Sequence, residues 1–252
     1  SDFAKFGCKE IIAMDLGTQV FEARKLTKHL PHVHCIQGDL MNPPFKEGVL
    51  DVIASHGVLH HLPSPREGFL RLSKLLKIGG MMAIYVYHKE WQYFKTHKKS
   101  LLWDWLYATG TLVWLGIRKV TSRLPHPLLF LWVYLMAIKS TVESLAEKLW
   151  KPAGSALRMI PPFAYIGVNF HERLVRNYDH YSATFNYFHS VDEVVDWFAE
   201  GAFDQVEIVS VPVSIRAWKT EKVQKPLTIR QWPYLQHFAF RQEWERLYSK
   251  RR

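Results

Sequence analysis

Residues 47–88 read EGVLDVIASHGVLHHLPSPREGFLRLSKLLKIGGMMAIYVYH, and this stretch decides the fold. VLDVIAS, residues 49–55, is a short apolar run rich in β-branched residues, the pattern of a strand buried on both faces. SHGVLHHLP follows as a polar loop containing glycine and histidine. Ser64-Pro65-Arg66-Glu67 has the form of a capping box, with Ser64 as N-cap, Pro65 at the first helical position and Glu67 three residues on. Phe69, Leu72, Leu75 and Leu76 recur at helical spacing, and Gly79-Gly80 stops the helix. MMAIYVYH is a second apolar strand. Two buried strands joined by a helix make a βαβ unit, parallel and with a right-handed crossover. Ligands of such sheets sit at the carboxyl ends of the strands, which points to Ser55–His61 and to Tyr87-His88.

The pattern DVIASHGVLHHLPSP…LLKIGG resembles the class I S-adenosylmethionine-dependent methyltransferases. It is closest in style to their small-molecule branch, which includes ubiquinone- and menaquinone-type enzymes. The resemblance covers residues 1–90 well, 175–218 fairly and the stretch between only loosely. LKIGG departs slightly from the usual Lys-Pro-Gly-Gly. The resemblance implies an α/β fold: a Rossmann-like sheet, mostly parallel, with an antiparallel edge hairpin. It also implies a strand and a GxGxG-type loop ahead of the first helix, where glycine lets the backbone approach the cofactor closely. No such loop occurs in these 252 residues, which open on Ser1 with SDFAKFG as the end of a helix and CKEIIAM as a strand. A fragment is the expectation, with a partner chain carrying the other half, or a degenerate non-catalytic relative, as the alternatives. Cofactor binding by this chain alone is expected to be poor.

The resemblance assigns S-adenosyl-L-methionine as cofactor. Asp15-Leu16 ends the strand IIAMD, where a carboxylate can accept from both ribose hydroxyls; an Asx-turn or helix cap is the plain alternative. Thr18 is expected to cap a helix through Leu30, with Leu26 and Leu30 inward and Arg24, Lys25 and Lys28 outward. Gly38-Asp39-Leu40, after the strand HVHCIQ, matches the position that accepts from the adenine amino group in the family; a turn aspartate is the alternative. Phe45 packs near the adenine edge on this reading. The Ser55-His56-Gly57 loop would hold the methionine part through its backbone.

His60-His61 is the sharpest chemical feature. A hydroxyl nucleophile must lose a proton, and imidazole is the side chain best poised to take it near pH 7. Either histidine can be that base, with His60 preferred because the corresponding dipeptide of quinone enzymes is Glu-His. The competing reading packs His61 under the helix and leaves His60 passive beside a pocket. Tyr87, Tyr178, Asp179 and Tyr181 are expected to meet the acceptor, since aromatic faces suit a sulfonium or a flat substrate; core packing is the alternative. His32 and His34 share a strand face, but no further ligands stand at metal-site spacing, so no metal is expected.

The chain of 252 residues has a formal charge of +10 and two cysteines, Cys8 and Cys35, expected as free buried thiols in a reduced, cytoplasmic setting. Residues 216–252 hold ten Lys/Arg against three Glu, a basic tail suited to RNA, anionic lipid or an acidic protein, or simply to a solvated helix. Residues 92–160 are strongly apolar and aromatic and read as a helical insertion broken by Pro125 and Pro127. It serves as a lid over an apolar pocket, as an interfacial membrane helix pair that makes the protein peripheral to a membrane, or as a homodimer surface. The expected organisation is a partial cofactor half at 1–90, the insertion at 91–175, the rest of the sheet at 176–220 and the tail at 221–252. The function expected is methyl transfer to a small, rather apolar acceptor, most simply at oxygen. A tRNA-modifying methyltransferase and a non-catalytic interaction subunit are the rivals.

Overall fold

The computed structural model describes residues 7–87, 101–165, 167–210, 213–221 and 229–231. The chain divides into two compact units, one formed by residues up to 88 and from 187 onward, the other by residues 89–186.

In the first unit the crossover forms in the order read, but the helix stops at Leu75, before Gly79-Gly80, and Leu76, Gly79 and Gly80 belong to the strand that follows. β3 (Leu50–His56) leads through a short 3₁₀ turn (Leu59–His61) into α2 (Pro65–Leu75), which returns as β4 (Leu76–Tyr85), parallel to β3. Apolar residues at helical spacing give α2 one buried face of Phe69, Leu72 and Leu75. Phe69 meets Trp197, Phe198 and Phe203 at ring-centroid distances of 6.0, 4.8 and 5.8 Å. Trp197 and Phe198 lie on α7 (Val191–Glu200), whose N-cap Ser190 accepts from the Glu193 amide at 3.3 Å, as a capping box should. At the start of α2 the box does not close: Ser64 is the N-cap but its hydroxyl bonds no amide, and Glu67 is engaged by Arg71 instead.

β5 (Phe203–Ser210) and β6 (Ser214–Lys219) form the antiparallel hairpin, and β6 pairs with β4, so the order is β3-β4-β6-β5-β7. β7 (Ile229–Gln231) comes from the basic tail and lies parallel to β5, so the tail supplies the strand beyond the expected edge hairpin. The helix expected further along the tail lies outside the described residues, as does His88.

β1 (Ile11–Asp15), α1 (Gln19–Thr27) and β2 (Val33–Gln37) form a second crossover with its own two-stranded parallel sheet. Among the described residues no strand pairs with the second edge of β1 or of β3. Two expectations fail here. β3 is buried on one face only, with Val52 53% exposed, because nothing described covers its other face. α1 ends at Thr27 and turns Val20 inward, leaving Leu26 75% exposed. Cys35 is half-buried and Cys8 exposed, not buried; both thiols are free.

The second unit is helical: α3 (Leu101–Thr121), α4 (His126–Leu149), α5 (Lys151–Arg158) and α6 (Phe170–Ser182). Its core gathers Trp114, Leu129, Val133, Met136 and Tyr181. It extends to Asn186, so α6, with Tyr178, Asp179 and Tyr181, belongs to this unit and not to the returning sheet half.

Phe69→Ala should cost about 3–5 kcal/mol of unfolding free energy, since it empties the centre of the sheet unit's core. Val52→Ala, on the uncovered face of β3, should cost under about 1 kcal/mol. Urea denaturation of both variants checks the contrast; equal losses would mean that β3 is covered on both faces.

Candidate cofactor and catalytic site

Two clusters form at the carboxyl ends of the parallel strands. The first joins β1 and β2. Asp15 closes β1 opposite Gln37 of β2, and the Gly38 amide donates to the Asp15 carbonyl at 2.9 Å. Asp15 and Asp39 are thereby held on neighbouring strand ends. Each carboxylate accepts through Oδ1 from a nearby backbone amide, Asp15 from Gly17 at 2.7 Å and Asp39 from Met41 at 2.8 Å. These are Asx-type turns. A carboxylate oriented by one oxygen still has a second oxygen with which to accept from a ligand, so the turn and binding roles are compatible. Leu16 is largely exposed beside them, and its carbonyl accepts from Gln37 Nε2 at 2.9 Å.

The loop after β2 is tied to α2. Arg71 Nη1 donates to the Met41 carbonyl at 2.6 Å and to Asn42 Oδ1 at 3.1 Å. Gly68 packs so closely that a Cβ there would lie 2.3 Å from Leu62 Cδ1 and 3.5 Å from Met41 Sδ. Leu40 and Phe45 pack on the main core, so the position expected for Phe45 at an adenine edge is taken up at least in part by packing.

The second cluster lies at the ends of β3 and β4. His56 pairs with Tyr85 in the ladder, and their rings stack at 4.6 Å. Gly57 donates its amide to the Tyr85 carbonyl at 3.1 Å and turns the chain at φ +76°, a left-handed conformation suited to glycine. Nothing lies within 4 Å of where its Cβ would stand. His60 stacks on Tyr87 at 3.7 Å and touches His61 at 4.2 Å. The segment 187–189 closes the cluster: Tyr187 donates its amide to the His60 carbonyl at 3.0 Å, and His189 donates its own to the Tyr87 carbonyl at 2.7 Å.

The two histidines exchange the environments expected of them. His60 is fully buried and His61 only partly so. Burial, then the neighbouring His61, His189 and His56, push the His60 pKa down from 6.5 to about 3. Its imidazole is therefore neutral at pH 7 and a weak base, and neither ring nitrogen has a hydrogen-bond partner. The buried Ser55 hydroxyl also has none. Orphaned buried polar atoms at one strand end, beside a glycine with open space above it, are what a polar ligand's site would leave behind. The residues present therefore fit a nucleoside-type cofactor, with carboxylates for hydroxyl and amino donors and a tight glycine turn beyond them.

Tyr178 and Asp179 lie on α6, the first half-buried with its ring 5.6 Å from that of His126, the second exposed. Tyr181 is a core side chain of the helical unit: it is fully buried and its hydroxyl donates to the Phe163 carbonyl at 2.5 Å, so it does not serve an acceptor as expected. Sequence reading left Tyr85 and His189 out of the candidate site; Tyr85 enters the cluster by pairing with His56 across the sheet, and His189 by its amide bond to the Tyr87 carbonyl. The signal for His189 was the aromatic stretch Tyr187-Phe188-His189. Among the described residues no group of His, Cys, Asp and Glu is arranged to hold a metal.

The depressed His60 pKa has a defined consequence for stability. The unfolded imidazole takes a proton below pH 6.5 and the folded one only near pH 3, so acid favours unfolding. Its contribution is fully present above pH 6.5 and, as pH falls to 5, about 2 kcal/mol is lost. His60→Phe, which keeps a ring against Tyr87, should remove that part of the acid sensitivity. Urea denaturation of both proteins at pH 7.5 and pH 5 measures it; identical pH dependence would show that His60 protonates freely in the fold.

Residues 1–84 match a family profile described as a methyltransferase domain. A demethylmenaquinone methyltransferase of Staphylococcus haemolyticus is 30% identical over 74 residues, 29% of this chain and 31% of that protein. A tRNA U34 carboxymethyltransferase of Syntrophotalea carbinolica is 40% identical over 55 residues, 22% of this chain and 17% of that protein. The chain thus spans less than a third of the length of each of these curated relatives. An S-adenosylmethionine-dependent methyltransferase structure from Mesorhizobium loti aligns at 17% identity and a TM-score of 0.31, over 33% of this chain and 39% of that one. Residues 1–84 are thus similar to a methyltransferase domain, a likeness that covers a third of the chain.

Proposed function

We propose that this chain takes part in methyl transfer from S-adenosyl-L-methionine to a small, rather apolar acceptor at a hydroxyl oxygen. The observation that carries the reading is the buried, unpartnered pair of Ser55 Oγ and the His60 ring at the carboxyl end of β3, within an otherwise aromatic cluster. When bound, the cofactor supplies an electrophilic methyl on a sulfonium. Asp15 and Asp39 accept from its ribose and adenine donors, and the Ser55–Gly57 turn holds its amino-acid part. His60, neutral at pH 7, works as a flat wall stacked on Tyr87. His61, only partly buried, takes the acceptor's proton at a ring nitrogen. Tyr87 stands edge-on to it at 5.7 Å and supplies an apolar side of the acceptor pocket. Positioning of this kind can contribute effective molarities on the order of 10⁵ M or more.

In the full protein, His61→Ala should lower kcat by about 100-fold or more and leave cofactor affinity unchanged, as loss of a general base does. Turnover that survives His61→Ala would remove the base role.

Asp15→Ala and Asp39→Ala should each weaken cofactor binding about tenfold or more, roughly one strong hydrogen bond to a charged group. Isothermal titration with S-adenosylmethionine measures it. Affinity unaltered in both variants would show that the two carboxylates serve only their turns.

A further inference from the structure

We propose that the outer face of α4 seats this protein on the surface of an anionic lipid bilayer, with the helix lying in the plane of the interface. Leu128, Leu131, Leu135, Ile138, Val142 and Leu145 recur along α4 at alternating steps of three and four, and all are exposed. Phe130 and Tyr134 widen the stripe on one side, and Trp150 ends it, also exposed. An apolar face this broad exceeds the narrow seam of a coiled coil and carries the aromatic residues favoured where lipid meets water.

The opposite face of α4 is turned inward, with Leu129, Val133, Met136 and Ala137 packed in the unit's core and a polar patch further along the same face. Ser140 and Glu143 are buried. Lys139 pairs with Glu143, and Arg173 of α6 donates to the Ser144 hydroxyl at 2.9 Å. A helix packed in this way on one side cannot be surrounded by lipid. α4 is the one described helix long and apolar enough to cross a membrane, yet its fixed inner face leaves only the outer one for lipid.

Charge decides between lipid and a second copy of the chain. Among the described side chains of residues 109–165, every exposed charge is a cation: Lys119, Arg123, Lys148 and Lys151. The two carboxylates of this segment are engaged, Glu143 by Lys139 and Glu147 by Arg158. A self-association through this face would bring like charges together, whereas anionic headgroups attract each cation, by about fivefold in partitioning apiece.

Flotation of the full chain with vesicles of phosphatidylcholine alone, and of phosphatidylcholine mixed with phosphatidylglycerol, tests the proposal. Binding should favour the anionic vesicles by about tenfold or more and fall as salt is raised. Leu135→Glu with Ile138→Glu should abolish it while leaving the basic tail intact, and circular dichroism confirms the fold, since both side chains are exposed. Lys148→Glu with Lys151→Glu, a second and independent variant, should weaken it by about tenfold or more. Binding that survives Leu135→Glu with Ile138→Glu in the folded protein would assign the contact elsewhere and overturn the proposal. So would a wild-type chain that ignores vesicles and sediments as a dimer which the same substitutions dissociate.

Discussion

The parallel pairing of β3 with β4 is the constraint on which the sheet unit rests. Val52 stands opposite Met81 and His56 opposite Tyr85, so both strands run out at the same level. α2 must fill the return path between them, and it does so with Phe69, Leu72 and Leu75 against the sheet and α7. Because side chains alternate along a strand, a slip of one residue would turn Ile53 and Ser55 outward and Ala54 and His56 inward. The buried core therefore sets the height at which the loop from Gly57 to His61 leaves the sheet. The His56–Tyr85 and His60–Tyr87 stacks follow from that height.

The same constraint separates the two histidines. The 3₁₀ turn presses Leu59 and His60 into the core while His61 stays near the surface. Two adjacent imidazoles thus acquire different chemistry from position alone. One is desolvated and neutral across the physiological range, and the other keeps contact with solvent. The carboxylates show a related economy. Asp15 and Asp39 fix their own turns through one oxygen, which holds the side chain still for whatever the second oxygen binds. Arg71 then couples the Asp39 loop to the helix that follows the histidines.

Much of this was legible in the residues. The β3–α2–β4 crossover shows as two apolar runs around a helical period, though Gly79-Gly80 lies within β4 and does not mark the helix end, and the stop of the 190–201 helix shows in its capping box and glycine. The pairing of strand ends was legible too, since an acidic residue after an apolar run places itself once the run is a strand. What the residues could not show were relations between distant segments. Whether β3 is covered on its second face depends on which strands lie beside it, and Val52 looks the same in either case. Leu26 fits a helical stripe on paper, yet α1 meets the sheet through Val20. His60 and His61 are chemically identical until the turn buries one of them. Tyr181 lies close in sequence to Tyr187 and His189, but it folds into the helical core and they into the sheet unit.

In the helical unit α4 is apolar on two faces, one packed in the core and one exposed. The informative signs in a protein are buried polar groups and large exposed apolar ones, and α4 carries both on opposite faces. Its inward ion pair and hydroxyls are satisfied by Lys139 and Arg173, so burying them leaves no charge uncompensated. Its outward leucines stay exposed among the described residues. The core of the unit is already supplied by the inward Leu129, Val133 and Met136, so folding alone gives no reason for a second apolar stripe on the outside. The outer face answers to something other than the stability of this unit alone. The exposed cations of the same segment, with its two carboxylates already engaged, give that external contact a sign.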